Sequence, residues 1–134
     1  MTLVPVTLVA TAGAIVLNFW LGWRIASYRE EFKVSVGDGG HEPLLRRMRA
    51  QANFIENAPL FVILLLALEL SGANPLALGA IAAVFLLARI SHAVGMDGAH
   101  LGRWRMFGMM GTALPNLALV IWALVRAAEL CLRR

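Results

Sequence analysis

Cysteine and charge are both scarce in this chain. Cys131 is the only cysteine, so no disulfide can form within the chain, and a buried or lipid-facing thiol is the plain reading. Charged residues make up 15% of the 134 positions and hydrophobic ones 60%. A soluble domain carries about 25% charged residues. With a mean hydropathy of +0.73, the composition excludes an ordinary soluble domain and indicates an integral membrane protein. The length allows a single domain, residues 1–134. From Met1 to Trp23 there is no charge at all. That run has no basic n-region and no small-residue cleavage site before its first charge, so it reads as a retained helix and not a signal peptide. Gly37-Asp38-Gly39-Gly40 lacks the Gly-Lys-Ser/Thr ending of a phosphate loop and reads as a tight turn. The net charge is +4, but the basic residues fall in gaps between apolar runs. This is what membrane topology requires, and it argues against nucleic acid as a partner.

The chain does contain four apolar runs, each near the roughly 20 residues that cross a bilayer as a helix. They predict spans at about 3–26, 50–71, 74–92 and 106–126, an all-α membrane four-helix bundle. Arg24 to Met48 reads as the first connection, with Pro43 starting the next helix. Asn18 is polar at depth and should hydrogen-bond to another helix. Glu69 should be interfacial. Asn74 caps the third helix and Pro75 starts it. Pro59 and Pro115 mark bends. The fourth run shows no Gly-x-x-x-Gly packing seam. The first and third connections, through Arg49 and from Arg89 to Arg105, hold nine Lys/Arg. The second holds none and the tail three. Positive-inside then puts the basic connections in the cytoplasm and both termini outside.

Charge also enters the second run, where it is costly. Arg49, Asn53 and Glu56 are spaced i, i+4, i+7 and share one helix face. Arg49 and Glu56 stand roughly 10 Å apart along the axis, too far to pair with each other. Lipid cannot serve as their partner, so the stripe must face protein or a polar pocket. A packing role remains open, in which these two pair with Arg89, Asp97 or other helices. His92 alone is more often a packed or capping histidine than a ligand contact. His92, Asp97 and His100 lack the spacing of a helical metal pair and have no cysteine beside them, which argues against a metal. Arg103 and Arg105 are topological anchors by default, and Met106, Met109 and Met110 are gap-fillers.

Arg-Ala-Gln-x-Asn-x-x-Glu-x-x-Pro-Leu-Phe, residues 49 to 61, resembles the signature of the MAPEG family (membrane-associated proteins in eicosanoid and glutathione metabolism). The likeness extends to the four spans, the basic first connection and the Arg-rich stretch before the last span. It is closest to bacterial members with the Val-x-x-Gly-Asp-Gly-Gly loop found at Val34–Gly40. The resemblance implies a homotrimer of four-helix subunits in the bacterial inner membrane, with glutathione bound between neighbours near the cytoplasmic side. It implies glutathione contacts from Arg49, Asn53 and Glu56, with Gln51 in support, Arg29 from the first connection and His92 from the third helix. Arg103 aligns with the arginine credited with activating the thiol, and Arg105 competes if the connection is one turn looser. Asn57 and Met96 stand where tyrosines are common, and Glu30 replaces a second loop arginine of leukotriene-forming members. These departures argue against eicosanoid synthesis. The family also has a member that keeps the fold without activity.

The chemistry is coherent on its own terms. Glutathione carries two carboxylates, an ammonium and a thiol. Arginines clamp carboxylates, and Glu56 can accept an ammonium. Asn53 can serve a peptide unit. A free thiol has a pKa of about 8.5, and lowering it two units requires roughly 2.7 kcal/mol. One guanidinium at about 4 Å, at an effective dielectric of about 20, supplies up to about 4 kcal/mol. Glutathione as co-substrate thus needs no metal, triad or organic cofactor beside it, and the second substrate would be a lipophilic electrophile from the bilayer. The expected function is a membrane glutathione transferase or peroxidase. The alternatives are a non-catalytic scaffold of the same fold and, behind it, a small multidrug transporter. The transporter would want a lone deep carboxylate, whereas Glu56 sits near one end of its helix beside Arg49.

Overall fold

The computed structural model describes residues 3–98 and 102–132. They form four helices and, among the described residues, no strand: α1 (Pro5–Phe32), α2 (Glu42–Leu70), α3 (Pro75–Gly95) and α4 (Arg103–Leu132). All four are long and apolar enough to cross a membrane. Large side chains point outward along them, with Phe19 74% and Leu76 84% exposed. Water would not tolerate that arrangement, but acyl chains do.

The helices exceed the predicted spans. α1 runs on to Phe32, because Arg24 to Phe32 contains no Gly or Pro to stop it. The first connection is therefore only residues 33–41, not Arg24 to Met48. Lys33 ends α1 in the left-handed region, and Val34 N–H donates back to Arg29 C=O at 2.9 Å. Gly37, Gly39 and Gly40 all have positive φ, as the turn requires. Phe32 and His41 stack across it at 4.3 Å. Pro43 stands in the first turn of α2, as expected. Asn74 caps α3, its Oδ1 accepting from Leu76 and Ala77 N–H.

α2 and α3 form the short diagonal of the bundle. Each touches every other helix, while α1 and α4 do not meet among the described residues. Phe61 and Phe85 stack at 3.9 Å between them, with Leu65, Leu78 and Leu119 fully buried around. Pro59 and Pro115 lie inside continuous helices.

One expectation about packing is refined and one corrected. Glu69, expected at the interface, stands at the end of α2 but is covered by protein, 6% exposed. Its carboxylate accepts from Val6 N–H at 2.9 Å, Thr7 N–H at 2.8 Å and the Thr7 hydroxyl at 2.6 Å. The first N–H groups of α1 have no side-chain cap of their own, and a carboxylate from α2 satisfies them. α4 also has a seam, though with different spacing. A Cβ on Gly111 would come within 2.7 Å of Ala88 Cβ, and one on Gly108 would fall on the backbone of His92. Gly95 meets the backbone of Arg105 in the same way. Glycines on both helices bring α3 and α4 into backbone contact.

Candidate functional site

α2 reaches its cytoplasm-predicted end with Arg49, Ala52, Asn53 and Glu56 on one face. α3 adds His92, with its C-cap residue Met96 four positions on, and α4 adds Arg105 and Met109 at the same spacing. These eight residues line one groove of about 330 Å³, at the lower end of small-molecule sites, roughly 300–1,000 Å³. Five of the eight candidate residues therefore converge: Arg49, Asn53, Glu56, His92 and Arg105.

Arg49 and Glu56 are exposed on the single chain. Neither has an ion-pair partner among the described residues, so the packing role considered for them is not what this arrangement gives. Asp97, one suggested partner, is held instead by Arg24 and by Arg47 Nε at 3.0 Å. Arg24 is 6% exposed and also donates to Ala93 C=O at 3.2 Å, while Trp20 and Tyr28 lie under the Arg24 and Arg47 guanidiniums. This cluster ties α1 and α2 to the residue directly after Met96, behind the groove wall. Of the three residues weighed for a metal, Asp97 is thus engaged by arginines, and His100 lies outside the described residues.

Three candidates stand elsewhere. Gln51 faces α1, donating from Nε2 to Asn18 Oδ1 at 3.4 Å. That contact is the interhelical bond expected of Asn18. Arg29 donates to Ser35 C=O at 3.3 Å and reaches Met48 Sδ at 4.0 Å, organising the first connection. Arg103 is the exposed first residue of α4 and does not line the groove. Two residues on separates the pair by about 200° of helix, so only Arg105 faces inward.

His92 is 6% exposed, and its Nδ1 is buried without a hydrogen-bond partner among the described residues, as is Arg105 Nε. Polar atoms in that state are costly, and these two stand at the groove wall. Sequence reasoning placed Arg89 at the start of a basic connection and offered it only as a packing partner for Arg49 or Glu56, not for Asn53. It lies inside α3, 2% exposed, and donates to Asn53 Oδ1 at 2.7 Å. The available signal was its i, i+3 relation to His92 in a stretch without any acid nearby.

A MAPEG family model matches residues 7–125. The chain is also 32% identical over 108 residues to inner membrane protein YecN of Escherichia coli K12, covering 75% of this chain and 82% of that relative. The YecN protein of E. coli O6:H1 strain CFT073 matches with the same figures. The chain belongs to the MAPEG family.

Proposed function

We propose that this chain binds glutathione in the groove between α2, α3 and α4 and lowers the pKa of its thiol for attack on a lipophilic electrophile. The observation that carries the reading is the meeting of Arg49, Asn53, Glu56, His92 and Arg105 around one opening. Arg49 and Glu56, without an ion-pair partner among the described residues, offer a cation to a carboxylate and an anion to an ammonium, at the separation a tripeptide can bridge. Arg105 is the thiol-activating group in this reading, in place of Arg103. Family membership supports glutathione as the ligand. Transfer and peroxide reduction both start from the same thiolate.

The working form is a homotrimer in the inner membrane, with the groove completed by a neighbouring subunit and both termini outside. Support comes from the outer face of α2. Leu60, Ile63, Ala67 and Leu70 are all exposed and recur at steps of three and four, the period of a helix-to-helix seam. The groove opens at the edge of that seam. The inner membrane location follows the relatives' description.

The test is thermal unfolding in detergent micelles with and without millimolar glutathione. A glutathione-dependent rise in Tm, with a thiolate absorbance at neutral pH, is the expected result. Stabilisation without thiolate would indicate the non-catalytic binding protein. No stabilisation of well-folded oligomers would overturn the reading.

A further inference from the structure

Arg89 stands behind the groove and not in its lining. Its two terminal nitrogens donate to Asn53 Oδ1 at 2.7 Å and to Thr112 Oγ1 at 2.9 Å, and Nε is buried with no partner among the described residues. Neither partner is charged, and no carboxylate lies within ion-pair distance among the described residues. A buried guanidinium without a counter-ion is expensive, and an apolar side chain of similar volume generally packs as well or better. Filling space between α3 and α4 does not account for it.

Its effect on Asn53 does. A guanidinium only donates, whereas an asparagine amide has one acceptor end and one donor end. The end of Asn53 that meets Arg89 must be the carbonyl oxygen. The NH2 is then turned away from Arg89, and it has no acceptor among the described residues. Asn53 itself lines the groove.

We propose that Arg89 is a positioning residue acting through Asn53: it locks the amide so that the groove offers a donor there, and so selects a ligand carrying a carbonyl or carboxylate oxygen at that point over one carrying an amine. The inference rests on the glutathione reading of the groove and adds the polarity of one subsite to it. Arg89 touches no ligand in this account. It decides which face of Asn53 the ligand meets.

The experiment is a double-mutant cycle on glutathione affinity, measured by calorimetry on the detergent-solubilised protein with R89M, N53A and the R89M/N53A pair, and R89K as the conservative variant. Each single change is expected to weaken binding up to about tenfold, the size of one oriented hydrogen bond. The pair should bind no more weakly than N53A alone, because Arg89 has nothing left to orient. R89K, which keeps a donor toward Asn53, should lose less than threefold. Multiplicative losses, or R89M binding normally while only its Tm falls, would overturn the proposal and leave the glutathione site standing. Failure of the unmodified protein to bind would overturn both. Should R89M not fold, the side-chain amide resonance of Asn53 in the unmodified protein decides. It should shift on saturation with glutathione, and an unmoved resonance sinks the idea.

Discussion

Gly108 lies directly against the backbone of His92, so close that a Cβ on the glycine would overlap the histidine's N, Cα and Cβ. This contact sets how α3 and α4 are rotated and how near they come. Arg105 stands one turn before Gly108 and faces the same groove as His92. The position of both groove residues thus depends on an absent side chain.

Gly108→Ala should force the two helices apart. The colliding atoms are the histidine's backbone and the Cβ fixed to it, which cannot swing aside, so the cost is that of overpacking, about 2–3 kcal/mol. Tm in micelles should fall, and glutathione affinity should fall with it. An alanine variant with unchanged Tm would show that the seam has slack.

Arg105→Ala and Arg103→Ala should separate cleanly. Arg105 lines the groove and Arg103 is exposed at the start of α4. Loss of the guanidinium at 105 should remove the thiolate absorbance of bound glutathione at neutral pH. Loss at 103 should leave it. Difference spectroscopy on the two variants reads this directly, and the opposite pattern would return the role to Arg103.

Glu56→Gln and Arg49→Ala should spare the unliganded protein. Both side chains are exposed and unpaired among the described residues, so intrinsic stability should move by no more than about 0.5 kcal/mol. Glutathione binding should weaken by about 1.5–3 kcal/mol in each, the worth of a charged hydrogen bond. A large drop in Tm without ligand would mean that these groups hold the assembly together.

Glu69→Gln should do the reverse. Three donors from the first turn of α1 converge on its carboxylate, and an amide can accept from them on one side only. A loss of about 2–3 kcal/mol in stability is expected. Glutathione affinity should be untouched, since Glu69 is twenty residues and about 30 Å along α2 from Arg49. Urea or thermal unfolding beside calorimetry would check both halves.

Much of this was legible in the residues. The cap at Asn74 and the turn at Gly37–Gly40 follow from local chemistry, as does the single polar face of Arg49, Asn53 and Glu56. The extension of α1 through Phe32 was hidden because charge was read as loop, although Arg and Glu are good helix formers. The partners of Glu69 were hidden for a related reason. A carboxylate at a helix end looks solvated until the N–H groups it serves, more than sixty residues away, are placed beside it.

By itself the sequence determined four membrane crossings and the polar face of α2. Both are local: hydropathy over some twenty residues decides a crossing, and 3.6 residues per turn decides a face. Only the tertiary structure decided that Arg105 and not Arg103 enters the groove, and that Arg89 grips Asn53. Those outcomes depend on the rotation and spacing of α3 against α4, set by contacts at Gly95, Gly108 and Gly111 that no local period encodes.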